Sequence, residues 1–146
     1  MTSTPNQLTL VIKNDLAEIA RLSEIVDGMG QQHGVSAEAL YAVNLALDEV
    51  LTNVISYGYA DRHEHQICIR LELQDGEFIA ETEDDARPFN PLTAPAPEVG
   101  APLHEKPLGG LGIHLAKTMM EGMAYRRERE KNILTMRKKI CIDQKD

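Results

Sequence analysis

An acid and an amide stand four residues apart in the run Asn44-Leu-Ala-Leu-Asp-Glu-Val-Leu-Thr-Asn-Val-Ile-Ser-Tyr-Gly58. They are Glu49 and Asn53, and residues at i and i+4 share one face of a helix. A carboxylate in that position can orient or deprotonate a nucleophile. A carboxamide oxygen one turn on is a hard, neutral ligand suited to Mg²⁺, which keeps several waters and takes its other ligands largely from phosphates. A solvated polar face is the plainer meaning of such a pair, and two stretches further down the chain bear on the choice.

The first is Asp84-Asp85, at the end of the alternating run 77–83. A strand-end Asp can accept a hydrogen bond from an exocyclic amine such as that of adenine, or it can simply start a turn. The second is Gly109, Gly110 and Gly112, which lead into the helical run 113–122. Glycines at a helix N-terminus let the backbone come close to an anion that the free N–H groups and the dipole favour, although Gly-Gly is also a common loop ending. Together the three segments are sufficient for ATP with Mg²⁺.

These residues need elements to hold them. Leu40, Val43, Leu47, Val50, Leu51 and Val54 form an apolar stripe opposite Glu49 and Asn53, at about 100° per residue. Ser36 is the expected N-cap, Glu38 suits the first turn, and the helix should end near Tyr57-Gly58. Before it, residues 8–13 read as a strand, and 15–33 as an amphipathic helix capped by Asn14 or Asp15 and ended by Gly34. The polar run 61–65 reads as a solvated loop, since His63 and His65 lack an obvious third metal ligand. Two alternating runs, 66–73 and 77–83, flank Asp75-Gly76 and predict a hairpin. Residues 86–108 lose regular pattern and carry six prolines, which predicts a functional lid or a disordered segment. Residues 124–128 and 133–140 predict a closing hairpin around 129–132. The order predicts α+β: a two-layer α/β sandwich with helices on one face of a mixed, mainly antiparallel sheet.

The 146 residues are sized for a single domain, 1–146, and 42% hydrophobic with 26% charged is ordinary globular usage. There is no Trp and few aromatics, so the core should be aliphatic. A formal net charge of −8 argues against nucleic acid or an anionic membrane as a non-specific partner. It leaves room for a nucleotide, whose phosphates can be held by backbone N–H groups and a metal. No apolar run is long enough to span a bilayer, and the first residues lack the blocks of a signal peptide, so a cytoplasmic location is expected. Cys68 and Cys141 each sit in an apolar run; buried free thiols are expected, with a disulfide as the alternative.

The motifs Glu49-x-x-x-Asn53, Asp84-x-Ala86-x-Pro88-Phe89-Asn90-Pro91 and Gly109-Gly-Leu-Gly112-Ile-His-Leu, in that order, resemble the asparagine box and two glycine boxes of the GHKL ATPases. Within that superfamily the chain is most similar to the anti-sigma-factor serine/threonine kinases of bacterial partner-switching systems. The resemblance runs from the first strand to the last hairpin. It implies the Bergerat fold, with ATP held between helices and lid. By position it implies Glu49 as general base, Asn53 as magnesium ligand, Asp84 as adenine reader, and Gly109, Gly110 and Gly112 as the phosphate loop. Ala86 stands where the family has Gly, so its methyl would crowd the adenine edge, or strain the backbone if φ is positive. Lys106 stands for a frequent lid Arg, keeping the charge but losing the fork. The implied activity is transfer of the ATP γ-phosphoryl to a small antagonist (anti-anti-sigma-like) protein, with a sigma factor as a second, sequestered partner and a homodimer left open. The alternative is a nucleotide-binding regulatory module without phosphotransfer. Intact Glu49 favours the kinase.

Overall fold

The computed structural model describes residues 6–93 and 110–140. The chain runs through β1 (Gln7–Lys13), α1 (Ala17–Gln32), α2 (Ala37–Tyr57), β2 (Gln66–Gln74), β3 (Glu77–Asp84), a 3₁₀ turn at Pro91–Thr93, α3 (Gly110–Met119), β4 (Gly122–Glu128) and β5 (Lys131–Lys139). The strands form one sheet in the order β1-β2-β3-β5-β4, and every neighbouring pair is antiparallel. The α+β class is as expected, but the sheet is not mixed. β4 runs in the same direction as β3, yet the β4–β5 hairpin places β5 between them, so no parallel pair forms.

Helix α2 is the spine of the layer above the sheet. Ser36 Oγ accepts the Ala39 N–H at 3.2 Å, the N-cap expected from sequence, and the Gly58 N–H closes the far end on the Val54 carbonyl at 2.8 Å. Its apolar stripe is buried from Leu40 to Leu51, with Val54 at the margin. Below it lie Ile67, Ile69, Leu71, Phe78, Ala80 and Met136, one face of β2, β3 and β5. Burying each large side chain contributes about 1.5–3 kcal/mol, and the core is aliphatic apart from Phe78. The opposite face of the sheet is a charged ladder, in which Arg70 reaches Glu81 at 2.7 Å and Glu83 at 3.2 Å. Cys68 lies on that face as a free, half-buried thiol, less enclosed than its apolar neighbours suggest; Cys141 is outside the described residues.

Some expected boundaries shift. Leu16, not Asn14 or Asp15, occupies the cap position of α1, with helical dihedrals; the Asp15 carboxylate still accepts the Ala17 N–H at 3.0 Å. Helix α3 takes Gly110 and Gly112 into its first turn and stops at Met119, because Gly122 is drawn into β4 opposite Arg137. Pro91–Thr93 forms a 3₁₀ turn inside the stretch expected to be irregular, and Asn90 Oδ1 accepts the Leu92 N–H at 2.9 Å to hold it. Residues 94–109, most of the expected lid, are outside the described residues. The last hairpin turns on two residues, Arg129 (φ 53°) and Glu130 (φ 64°), the same left-handed pair as Asp75 (φ 52°) and Gly76 (φ 77°) in the first. Asn132, expected in the turn, is therefore a strand residue directly opposite Asp84. Among the described residues no helix is long and apolar enough to cross a membrane.

Candidate nucleotide site

A cleft of about 480 Å³, its open mouth included, lies where the C-terminal half of α2 meets the end of β3 and the start of α3. Asn53 lines it from α2, Thr82 and Asp84 from β3, Ala86 from the corner beyond, Ile113 from α3, and Asn132 from β5. The period of each element explains the convergence. Asn53 is one turn beyond Glu49 on the partly exposed side of α2, and Thr82 and Asp84 alternate inward along β3.

Asp84 is 3% exposed. Its Oδ1 accepts two hydrogen bonds, from the Ala86 N–H at 3.0 Å and from Asn132 Nδ2 at 2.9 Å. Burial raises its pKa above the usual carboxylate value, and the two donors work against that rise. The neighbouring Asp85 turns outward to His65 Nδ1 at 3.2 Å, while His65 Nε2 meets Asp61 at 2.7 Å. The ring of Tyr59 stacks on that imidazole at 4.1 Å between centroids, so the loop after α2 is fastened to the end of β3.

Glu49 does not line the cleft; it points at α3. A Cβ added to Gly112 would fall inside the Glu49 carboxylate, so the glycine leaves room for the carboxylate to lie against the first turn of α3. Gly112 is followed by Ile113, which does line the cleft, so the contact stands at the cleft's α3 end. Glu49 is half-buried, and its pKa is raised, first by burial and then by Asp48. A carboxylate with a raised pKa is a better proton acceptor.

Ala86 is buried and its φ is negative, so the backbone strain expected from a non-glycine residue is absent. Its methyl packs on Gly58, where an added Cβ would lie 2.9 Å from it. Gly58 is also tied to this corner through its carbonyl, which accepts the Arg87 N–H at 3.0 Å. Of the remaining residues read from sequence, Gly110 opens α3, while Lys106 and Gly109 lie outside the described residues. The structure thus brings Asn53, Asp84 and Ala86 into one cleft and places the Glu49–Gly112 contact beside it.

Asn132 was not legible as a site residue. An Asn next to a charged turn reads as part of that turn, and only a two-residue count at Arg129-Glu130 moves it into β5, in register with Asp84.

A helix layer on one antiparallel sheet, with a polar-based cleft between α2, the end of β3 and α3, is the architecture of a histidine-kinase-like ATPase. The sequence matches the histidine kinase-like ATPase domain over residues 12–138, and the chain belongs to that family, whose membership implies ATP binding. It is 30% identical over 105 residues to the anti-sigma F factor of Clostridium botulinum, covering 68% of this chain and 71% of that one. To the serine/threonine-protein kinase BtrW of Bordetella bronchiseptica it is 27% identical over 101 residues, 69% of this chain and 71% of that one. To the serine-protein kinase RsbW of Listeria innocua it is 25% identical over 118 residues, 78% and 74%. The solved RsbU and RsbW domains of Rv1364c from Mycobacterium tuberculosis superpose with a TM-score of 0.64 over 94% of this chain, which spans 33% of that one. At 14% identity that likeness concerns the fold. The chain is a distant homologue of anti-sigma F and RsbW kinases.

Proposed function

We propose that this protein is a serine/threonine protein kinase using Mg-ATP and an anti-sigma-type regulator. Its substrate would be a small antagonist protein, phosphorylated on a serine or threonine, and its other partner a sigma factor that it sequesters. The observation that carries the reading is the Glu49 carboxylate, half-buried, with a raised pKa, pressed on Gly112 one turn from Asn53.

Each residue then has a task. Asp84 accepts the exocyclic N–H of adenine on the floor of the cleft. Gly110 and Gly112, in the first turn of α3, offer backbone N–H groups to the phosphates. Glu49 takes the proton of the attacking hydroxyl, whose own pKa is too high for ionisation at neutral pH. Asn53 lines the cleft, and its carboxamide oxygen is a hard, neutral donor that suits Mg²⁺, whose other ligands would come from the nucleotide's phosphates and water. When bound, Mg²⁺ would offset the phosphate charge. The rest of the catalysis is positioning by α2, β3 and α3.

The test is incubation of the protein with labelled ATP and a small antagonist-like protein as candidate substrate. Label on a serine or threonine of that protein supports the kinase. Saturable ATP binding without label transfer would replace it with the regulatory module.

A further inference from the structure

Asn132 has six hydrogen-bonding relationships, and all of them converge on the base of the cleft. Its Nδ2 donates to Asp84 Oδ1 at 2.9 Å, the Arg87 carbonyl at 3.0 Å and the Ala86 carbonyl at 3.3 Å. Its Oδ1 accepts from Tyr125 Oη at 2.6 Å, Arg127 Nη1 at 3.0 Å and the Phe89 N–H at 3.4 Å. The side chain is 6% exposed. A buried amide with both ends occupied cannot flip without losing bonds on both sides, so its N–H end is fixed on Asp84. The Arg127 guanidinium of β4 and the Phe89 N–H determine which end that is, since both can only donate and so demand the oxygen.

The consequence falls on Asp84. Both of its hydrogen bonds land on Oδ1, whereas Oδ2 takes none from a described residue, and Asp84 lines the cleft. A carboxylate pinned by one oxygen presents the other as an acceptor in a fixed direction. Such an acceptor pairs with an exocyclic amine and repels a carbonyl oxygen in the same place. A buried polar group left facing the wrong partner rejects it strongly.

We propose that Asn132 is a positioning residue of the nucleotide site, fixing one oxygen of Asp84 so that the other selects a purine with an exocyclic amine over one with a carbonyl. The inference rests on the reading of the cleft as a nucleotide site. Other ionisable groups around Asp84 are Asp85 beside it, Arg127 on β4 and Tyr59 in the loop after α2. Burial, and to a lesser extent Asp85, raise the Asp84 pKa, and the Asn132 and Ala86 N–H groups and Arg127 lower it. Removing the Asn132 donor therefore moves the Asp84 titration to higher pH.

The discriminating variant is Asn132→Asp. It keeps an oxygen for Tyr125, Arg127 and Phe89, replaces the N–H end with an acceptor facing Asp84, and adds a negative charge there; Asn132→Ser removes the donor without the charge and is measured beside it. Two measurements are made on the full chain. The first follows the Asp84 carboxyl carbon by NMR across pH without nucleotide, a readout that does not depend on binding. The second is calorimetry with ADP and with GDP. The expected result is an upward move of the Asp84 midpoint, a roughly 10- to 100-fold loss of ADP affinity and a smaller ADP/GDP ratio. Asn132→Ser alone decides if circular dichroism finds the aspartate variant unfolded. A folded variant with parental midpoint and parental ADP/GDP ratio overturns the proposal, whatever its melting temperature. If the parent binds neither nucleotide, the nucleotide reading fails and the specificity claim falls with it; the NMR arm then still reports whether Asn132 controls Asp84.

Discussion

Gly112→Ala separates stability from chemistry at the contact between α2 and α3. The added Cβ would sit inside the Glu49 carboxylate and 3.2 Å from its Cγ. What it meets is the far end of a flexible side chain, so the backbone need not move; the carboxylate must swing aside by on the order of 1 Å. A misplacement of about that size can cost roughly 100-fold in rate. Folding should suffer little, because alanine in a helix is favoured over glycine by about 1 kcal/mol, which offsets the rotamer change at Glu49. The expected variant melts within a few degrees of the parent, binds ATP, and transfers phosphoryl roughly 10²-fold more slowly. Thermal melts and a single-turnover transfer assay on the same preparation read the two quantities. Parental turnover would refute the claim that the Glu49 position matters. A loss of several kcal/mol in stability would show that the contact serves the fold.

Three further outcomes follow from the site. Asn53→Ala should remove the magnesium-dependent part of ATP binding, measured by calorimetry with and without Mg²⁺; unchanged magnesium dependence would assign the ion elsewhere. Ala86→Gly removes a methyl that lies between the cleft and Gly58, and should tighten ADP binding by at most about 1 kcal/mol. Weaker binding would mean that the alanine helps to shape the site. The third concerns pH. His65 has its pKa raised above 6.5, chiefly by its hydrogen bond to Asp61 and further by Asp85. A raised imidazole pKa gives stability that is complete below the unfolded value and is lost as pH rises through the folded one. Melting temperatures across this range should show that loss in the parent, and His65→Gln should abolish it. An identical profile in the variant would show that the loop is not held by the charged imidazole.

Local signals carried much of this site. The stripe from Leu40 to Leu51 with Ser36 before it specifies α2 without help from the rest of the chain, and Asp75-Gly76 specifies the hairpin that delivers Asp84 to a strand end. What local pattern could not supply is what depends on register and on distant packing. The turn Arg129-Glu130 has no glycine, so nothing in its composition announces a two-residue loop, and Asn132 reads as part of the turn. Glycines 110 and 112 read as a loop because their helix-breaking tendency is local, whereas α3 forms over them by packing on α2. The Glu49–Gly112 contact joins residues far apart in sequence, and neither residue type predicts the other. The antiparallel sheet follows from β5 entering between β3 and β4, a choice that strand patterns do not encode.

The most direct test of the kinase reading is single-turnover phosphoryl transfer by the parent and by Glu49→Gln. The amide keeps the size and hydrogen bonding of the carboxylate and removes its basicity. The account predicts ATP affinity within a few-fold of the parent and transfer slower by roughly 10²–10⁴. Equal transfer rates in the two proteins would contradict it.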